Sequence, residues 1–315
     1  MNTRTPLDSL AVGLMVFFCL CLGLQQIALK VAAPDIAPVL QLALRSGISA
    51  GLVAIYMYLR GERLTLADGN WKPGLVVGVL FTLEYLFLGQ ALQYTSTSHA
   101  VVFLYTSPIF AAFILHFLVD SEKMAPLQWL GISLAFLGIV LAFMGPQSGE
   151  IVVSTSLLGD GLALLAGAAW GLTTVLIRTS RLASVSPKET LLYQLIAAFV
   201  LLTLSAAALD QLTFNVTPLA LASLAFQSVI VSFVAFLIWF WLLRHYPASQ
   251  VGVLSLMTPL FGVALGAWLL SEPIEPAFLN GALMVIAGIV LVSGHAWFTQ
   301  RVFAWRNAKI RGTLR

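Results

Sequence analysis

The chain has 315 residues, of which 60% are hydrophobic and 9% are charged, and its mean hydropathy is +0.96. Soluble globular proteins carry about 25% charged residues, so this composition excludes a soluble domain folded around an ordinary apolar core. The formal net charge is +3, and no soluble segment collects the basic residues into a surface of the kind that binds nucleic acid.

Ten apolar runs follow one another along the chain, and each is close to the roughly 20 residues that a helix needs to cross a bilayer. They cover about residues 10–29, 37–59, 73–94, 97–119, 126–144, 157–177, 190–209, 217–242, 247–270 and 277–298. The alternating polarity of membrane β-barrels is absent, so the sequence predicts helices as the spanning elements. We therefore expect an all-α integral membrane protein with ten transmembrane helices.

The positions of the basic residues predict the orientation. Only Lys30 lies in an outer segment if the N-terminus is cytoplasmic, and Arg45 lies within the second run. The cytoplasmic segments then hold 14 of the 16 Lys and Arg residues, namely Arg4, Arg60, Arg63, Lys72, Lys123, Arg178, Arg181, Lys188, Arg244, Arg301, Arg306, Lys309, Arg311 and Arg315. Because positive residues are enriched in cytoplasmic loops, we predict a multi-pass inner-membrane protein with both termini in the cytoplasm.

The second half of the sequence repeats the first after about 150 residues. The clearest matches are Pro108 with Pro259, Phe110 with Phe261, Glu122 with Glu272, Gly131 with Gly281, and Gly138 with Gly288. Five spans in each half is an odd number, so the second half must enter the membrane in the opposite orientation. We predict two inverted five-helix repeats around a central cavity, residues 1–144 and 157–299, with an external loop at 145–156 and a basic cytoplasmic tail at 300–315.

Two ionisable residues lie well inside predicted spans. At 1.5 Å per residue, Arg45 is about 12 Å and Glu84 about 15 Å from the outer end of its helix. Charged side chains at bilayer depth are costly and usually face a cavity or a partner. One hypothesis is that they bind a charged substrate and that Glu84 is the proton-coupling residue. The alternative is a static ion pair that holds the second and third helices together.

Polar and aromatic side chains at similar depth complete a candidate cavity. The predicted substrate-binding residues are Gln25, Gln26, Arg45, Glu84, Tyr85, Tyr105, Ser107, Trp170, Thr174, Tyr193, Gln227 and Trp239. Thr173, Gln194 and Thr258 lie at the same predicted depth. Pro108 and Pro259 each remove a backbone hydrogen bond, so we expect helix kinks beside the cavity. For the serines and threonines the alternative is a role in holding helices together.

A longer motif also occurs twice. The pattern Ala…Pro…Leu-x-x-x-Glu…Gln-Trp-x-Gly…Gly-x-x-Leu is found at Ala100, Pro108, Leu118, Glu122, Gln128, Trp129, Gly131 and Gly138. Its second copy is found at Ser249, Gln250, Pro259, Leu269, Glu272, Gly281 and Gly288. On these residues the chain resembles the ten-helix, EamA-type members of the drug/metabolite transporter superfamily. The pair Gln25-Gln26 and Glu84 depart from the usual pattern of that family.

The resemblance implies a secondary-active transporter, usually an exporter, that moves amino acids, related metabolites or drugs by alternating access. The alternatives are an importer or facilitative carrier on the same fold, and a non-transporting membrane scaffold or receptor. No Gly-x-x-x-x-Gly-Lys-Ser/Thr phosphate loop occurs, and the histidines lack metal-ligand spacing, so we expect no enzyme activity, cofactor or metal site. The expected partners are a small-molecule substrate and the lipid bilayer, and the sequence leaves monomer and homodimer open.

Overall fold

The structure is a computed structural model that describes residues 7–62, 69–95, 97–144, 157–270, 274 and 276–292. The predicted loop at 145–156, the predicted tail at 300–315 and Glu272 lie outside these residues. Within the described residues every regular element is a helix, and the only β-type pairing is an isolated bridge between Ile36 and Phe214. The prediction of an all-α protein is confirmed.

The described residues form ten consecutive helical segments, α1 to α10. Seven are single helices: α1 Ser9–Ala32, α2 Pro38–Leu59, α3 Trp71–Tyr94, α5 Pro126–Met144, α6 Leu157–Thr179, α7 Pro187–Ala208 and α10 Pro276–Val292. Three consist of several pieces: α4 of Thr97–Leu104 and Ser107–Leu118, α8 of Pro218–Ala225, Phe226–Ala235 and Phe236–His245, and α9 of Ala248–Leu254 and Met257–Leu270. Among the described residues, α1 to α9 are long and apolar enough to cross a membrane, and α10 is a shorter apolar helix.

Capping residues explain why several spans begin where they do. Asp8 caps α1 by accepting a hydrogen bond from the Ala11 amide at 2.8 Å. The hydroxyls of Ser186 and Thr217 cap α7 and α8 in the same way, and a proline follows each of them at the first helical position. A proline is tolerated there because the amides of the first turn have no acceptor within the helix.

α4 and α9 are interrupted at equivalent places in the two repeats. The break in α4 lies at residues 105–106, just before Pro108, and the break in α9 lies at residues 255–256, just before Pro259. Proline cannot donate the backbone hydrogen bond that would join the two helical pieces. In α4 the hydroxyl of Thr106 donates to a backbone carbonyl one turn earlier, at 2.6 Å, and so satisfies an acceptor at the break.

α5 and α10 pack against each other through glycines. A Cβ atom added at Gly131 would lie 2.8 Å from the carbonyl oxygen of Gly288, and one added at Gly138 would lie 2.6 Å from the carbonyl oxygen of Gly281. Gly131 and Gly281 are equivalent positions of the sequence repeat, as are Gly138 and Gly288. Exchanging the two repeats therefore maps this contact onto itself. That property requires a pseudo-two-fold axis perpendicular to two antiparallel helices.

A second pair of contacts follows the same axis. A Cβ added at Gly23 of α1 would lie 3.0 Å from the amide nitrogen of Gly262 in α9. A Cβ added at Gly171, the repeat equivalent of Gly23, would lie 3.0 Å from the Cβ of Phe110 in α4. The packing of α1 on α9 is thus repeated by the packing of α6 on α4. An axis of this direction lies in the membrane plane, so the predicted inverted five-helix repeats are confirmed.

The turns between spans form two sets at opposite ends of the bundle. At the end where α1 begins, the hydroxyl of Tyr246, between α8 and α9, donates to Asp8 at 3.0 Å. At the other end, the hydroxyl of Thr217, between α7 and α8, donates to Asp35, between α1 and α2, at 2.6 Å. We call the first end the N-terminal side and the second the far side. The spans therefore alternate in direction, as crossing helices must.

The outer surface of the bundle is apolar. Large hydrophobic side chains point outward from many spans, and Phe117, Leu157 and Trp268 are 71%, 90% and 77% exposed. Soluble monomers rarely expose apolar patches of such extent, whereas lipid tails solvate them well. The surface is that of a protein embedded in a bilayer.

Replacement of Gly138 by alanine is expected to destabilise the protein, because the new methyl group would meet the α10 backbone at 2.6 Å. Overpacking of this kind costs about 1–3 kcal/mol, although alanine is the better helix former. Thermal unfolding of the purified protein in detergent should show a lower Tm. The matched control is Gly51→Ala on α2, where an added Cβ meets nothing within 4 Å. Equal losses of Tm in both variants would contradict the close contact between α5 and α10.

Candidate functional site

A cavity lies at the centre of the bundle, with walls from α1, α3, α4, α6, α7, α8 and α9. It has about 770 Å³ of atom-free space, including its open mouth. Both repeats contribute walls, so the cavity lies at the interface between them, where transporters built from inverted repeats bind their substrates.

The structure brings most of the predicted substrate-binding residues to this cavity. Its wall includes Gln25, Gln26, Glu84, Tyr85, Tyr105, Trp170, Thr174 and Trp239. Thr173, Gln194 and Thr258, which lie at the same depth in the sequence-based assignment, also line it. Depth within a span is therefore enough to bring these side chains to one level of the bundle, and their polarity makes them turn inward, away from lipid.

Arg45 does not line the cavity but lies one side chain behind its wall. Its side chain is 0% exposed, and its Nη2 donates to the hydroxyl of Tyr85 at 2.9 Å. The guanidinium carbon also lies 5.2 Å from the centre of the Tyr85 ring and 5.9 Å from that of Phe236. Its Nε and Nη1 atoms are buried and have no hydrogen-bond partner. A full positive charge thus lies beside the cavity with two donors unused.

The static ion pair between Arg45 and Glu84, the alternative left open by the sequence, is not formed. Both residues are described, and no distance between a guanidinium nitrogen and a carboxylate oxygen of the two is 4.0 Å or less. Arg45 is nevertheless close enough to act electrostatically on Glu84. The aromatic side chain of Tyr85 takes the place of the carboxylate, which leaves Glu84 on the cavity wall.

Three further polar atoms of the cavity wall have no hydrogen-bond partner: Oε1 of Gln25, Oε1 of Gln194 and Oγ1 of Thr258. The three side chains are 2%, 4% and 3% exposed. An unsatisfied buried polar group costs about 1–3 kcal/mol, so buried groups of this kind are normally paired with protein, water or ligand. All three residues belong to the cavity wall. A hydrated or polar ligand would supply the missing partners.

Aromatic side chains form much of the remaining wall. The rings of Phe18 and Trp239 are stacked, with centroids 5.1 Å apart. Tyr105 and Trp170 meet edge to face at 5.5 Å, and Tyr85 has the same relation to a phenylalanine of its own helix at 4.9 Å. Such contacts hold the rings in fixed orientations. The cavity therefore offers rigid apolar faces beside its few polar groups.

Gln227 lies at the predicted depth but faces another helix. Its Nε2 donates to Oε1 of Gln41 at 2.8 Å and to the hydroxyl of Ser223 at 3.0 Å, and its side chain is 0% exposed. It lies in the stretch Phe226–Ala235, which is π-helical. The wider turn of a π-helix rotates the following residues relative to an α-helix. In this structure Gln227 joins α8 to α2.

Tyr193 and Ser107 also lie away from the cavity. The hydroxyl of Tyr193 donates to the carboxylate of Glu189 one turn earlier, at 3.0 Å. Ser107 begins the second piece of α4, is 3% exposed, and its carbonyl oxygen contacts α6 at Gly171. These two residues contribute to helix packing in the conformation observed.

Four phenylalanines on the cavity wall were not predicted from the sequence: Phe18, Phe81, Phe236 and Phe240. The phenylalanines of the described residues occur on lipid-facing and interior surfaces alike. In nearly uniform apolar helices no periodic polar face reports the rotation of the helix. The proximity of Phe18 and Phe236 to the predicted residues Gln25 and Trp239, about one or two turns away on the same helices, is the signal that could have identified them.

Inverted five-helix repeats that enclose a cavity at their interface are an architecture found in many transporters. The chain belongs to the EamA-like transporter family, whose pattern matches it twice, over residues 9–144 and 157–294. The protein is therefore a multi-pass membrane protein of a transporter family.

Similar proteins carry transporter names. The uncharacterized transporter YoaV of Bacillus subtilis (strain 168) is 26% identical over 270 residues, which cover 85% of this chain and 91% of YoaV. A protein of Salmonella typhimurium named as a probable amino-acid metabolite efflux pump is 24% identical over 280 residues, covering 85% of this chain and 90% of that protein. A solved crystal structure shares the fold with a TM-score of 0.78 at 18% sequence identity, over 93% of this chain and 99% of the other.

Replacement of Tyr85 by phenylalanine is expected to destabilise the protein, because it removes the hydroxyl that accepts from buried Arg45 while retaining the ring. A hydrogen bond to a charged group contributes about 1.5–3 kcal/mol. The Tm in detergent should fall accordingly. Tyr58→Phe on α2 is the control, since the Tyr58 side chain is 82% exposed. Loss of its hydroxyl should change the free energy of unfolding by less than about 0.5 kcal/mol. Unchanged stability in Tyr85→Phe would show that Arg45 has another acceptor.

Proposed function

We propose that this protein exports amino acids or closely related small metabolites across the cell inner membrane by alternating access. Its membership of a transporter family supports transport, and the name of the Salmonella relative is consistent with amino-acid metabolites. The observation that carries the proposal is a carboxylate on the cavity wall together with a buried guanidinium one side chain behind that wall, which has two unused donors. These are the complementary charges for an ammonium group and a carboxylate.

We propose separate roles for the two charged residues. Glu84 and the free oxygens of Gln25 and Gln194 are acceptors, so they would bind the ammonium group of the substrate. Arg45 would bind the carboxylate after a small rotation of Tyr85, since two of its nitrogens lack acceptors. Charge-assisted hydrogen bonds of this kind are the strongest in proteins. Trp170, on the same wall, would contact the apolar part of the substrate.

Glu84 is also the proposed proton-coupling residue. It is an ionisable side chain on the cavity wall at bilayer depth, next to a fixed positive charge. Such residues are typical of proton relays in transporters. A carboxylate that binds either a proton or the ammonium group of a substrate, but not both together, couples the two movements in opposite directions. Proton antiport would then supply the energy for export.

The proposed orientation has the N-terminal side in the cytoplasm. The described basic residues of that side are Arg60, Lys72, Lys123, Arg178, Arg181, Lys188 and Arg244. Lys30 is the basic residue described at the end of a span on the far side. This distribution supports the positive-inside orientation. An importer would use the same cavity, because the direction of net transport follows the gradients, so transport has to be assayed in both directions.

Counterflow in proteoliposomes tests the proposed substrate class. Phenylalanine, its deaminated acid 3-phenylpropionate and its decarboxylated amine phenethylamine form a matched series that differs only in the two charged groups. The protein is expected to prefer the amino acid. Glu84→Gln should reduce the preference for the amino acid over the acid at least about tenfold, because a hydrogen bond between charged groups is lost. Arg45→Gln should reduce the preference for the amino acid over the amine by a similar factor.

The aromatic wall provides a control for this experiment. Trp239→Ala should raise the substrate concentration for half-maximal counterflow by about tenfold, which corresponds to the loss of about 1.4 kcal/mol of contact. Trp268→Ala removes the same type of side chain from the lipid-facing surface of α9. This variant should leave the substrate concentration for half-maximal counterflow nearly unchanged. Equal transport of the amino acid, acid and amine by the wild-type protein would contradict the proposal.

A further inference from the structure

A second, smaller cavity lies beside the central one, between α6, α7 and α8, and we call it the vestibule. It has about 320 Å³ of atom-free space, which includes its open mouth. Its wall includes Ile177, Arg178, Leu182, Leu243 and Arg244. Arg178 is in the last turn of α6 and Arg244 is in the last turn of α8. The vestibule therefore lies on the N-terminal side of the bundle.

The central cavity and the vestibule have two wall residues in common, Thr174 on α6 and Phe240 on α8. The two side chains are 4% and 5% exposed. The hydroxyl of Thr174 is turned back to the carbonyl of Trp170, at 3.4 Å, so it is held by its own helix. One aromatic ring and one threonine thus separate a central site from a space that leads to the N-terminal side.

A single carboxylate joins the elements around the vestibule. Glu122, in the turn after α4, accepts hydrogen bonds from the backbone amides of Ala248 at 2.9 Å and Ser249 at 3.1 Å, and from the Ser249 hydroxyl at 2.8 Å. These groups begin α9. Glu122 also accepts from Nε of Arg178 at 2.6 Å. We call these four contacts the Glu122 clasp. Arg178 and Ala248 both belong to the vestibule wall.

The Glu122 clasp links the two repeats. Glu122 belongs to the first repeat, whereas Arg178, Ala248 and Ser249 belong to the second. The side chain of Glu122 is 0% exposed and that of Arg178 is 8% exposed. A buried carboxylate is stable only when it is paired and fully hydrogen-bonded, and here it also occupies the positive end of a helix. The clasp is therefore complete only while these elements are together.

We propose that the vestibule is the route between the central cavity and the N-terminal side, that Thr174 and Phe240 form its gate, and that the Glu122 clasp holds this gate closed in the conformation observed. The inference rests on the alternating access proposed above and is independent of the substrate. Glu122 thereby has a positioning role, and it is not one of the wall residues of the central cavity.

The fold provides a means of opening this gate. The start of α9 carries Ser249, and the break at 255–256 separates that piece from the rest of the span. The second piece of α4 leads to Glu122, and the break at 105–106 lies at its other end. Breaks of this kind absorb backbone rotation when helices move as rigid pieces. Water that enters the open vestibule would hydrate the separated charges, which makes opening reversible.

Cysteine labelling tests the clasp directly. Cys19 and Cys21 are both buried and would be replaced by alanine, and Leu243→Cys then places a thiol on the vestibule wall. The purified protein in nanodiscs, which exposes both sides, would be treated with a small polar maleimide. Glu122→Gln is expected to raise the labelling rate at least about tenfold, because loss of one partner strongly destabilises a buried ion pair. Ser249→Ala, which removes one hydrogen bond, should raise it about threefold.

Asp120→Asn is the matched control. Asp120 lies in the same turn as Glu122 and pairs with Lys123 at 2.7 Å, but both side chains are exposed, by 86% and 60%. The Lys123 ammonium lowers the pKa of Asp120. Removal of this charge should leave the labelling rate unchanged, because exposed ion pairs contribute little. A rise equal to that of Glu122→Gln would overturn the proposal, since any change of charge in this turn would then suffice.

Thermal unfolding of each variant identifies a failure to fold. If Glu122→Gln does not unfold cooperatively, the labelling rate of Ser249→Ala tests the proposal instead, because that variant retains the buried ion pair between Glu122 and Arg178. Labelling rates equal to that of the parent in the folded variants would overturn the proposed gate, even with transport intact. Raised labelling rates would support the gate even if no amino acid is transported, so failure of this inference and failure of the proposed substrate are distinguishable.

Discussion

A polar group in the hydrocarbon core of a bilayer must find its partner inside the protein, and the functional features of this molecule follow from that constraint. Most buried polar side chains meet it through hydrogen bonds to backbone carbonyls or to other helices, as Ser49 of α2 does with the carbonyl of Ser228 in α8. A few do not. Five of the nine buried polar atoms that lack a partner in the described part of the chain lie at or beside one cavity, on Arg45, Gln25, Gln194 and Thr258. The other four lie elsewhere, on Gln227, Ser228, Ser232 and Gln250. A cavity that admits water or a polar substrate resolves this deficit.

The two repeats have the same helix packing but differ in their charged and polar side chains. The glycine contacts between α5 and α10 obey the pseudo-two-fold axis on both sides of the bundle. The charged positions do not, because the repeat equivalent of Arg45 is Tyr193, which bonds to Glu189 at 3.0 Å rather than to the cavity. In the proposed alternating access, symmetric packing would let the halves exchange conformations, and the unequal side chains would give the shared cavity a polarity that orients a substrate.

Sequence reasoning identifies the spans, the repeat and the level of the cavity, because apolar length, charge position and motif spacing are linear properties. It does not give the rotation of each helix. Gln227 has the right depth but faces α2, and Arg45 contacts Tyr85 rather than Glu84. Phe240 carries no signal of its own, since an interior phenylalanine and a lipid-facing one look alike in a wholly apolar span. The clasp at Glu122 depends on turns that only the folded chain brings together.

The central claim is that unsatisfied polar groups around one midplane cavity bind a small molecule with both an ammonium group and a carboxylate. Thermal unfolding of the purified protein across a concentration series of such a ligand tests it most directly, because ligand that binds only the folded state stabilises it, by about 2.7 kcal/mol at one hundred times Kd. The account predicts a Tm that rises with the logarithm of ligand concentration for amino acids, and a much smaller rise when either charged group is missing. A Tm that responds equally to all three ligand types, or to none, would contradict it.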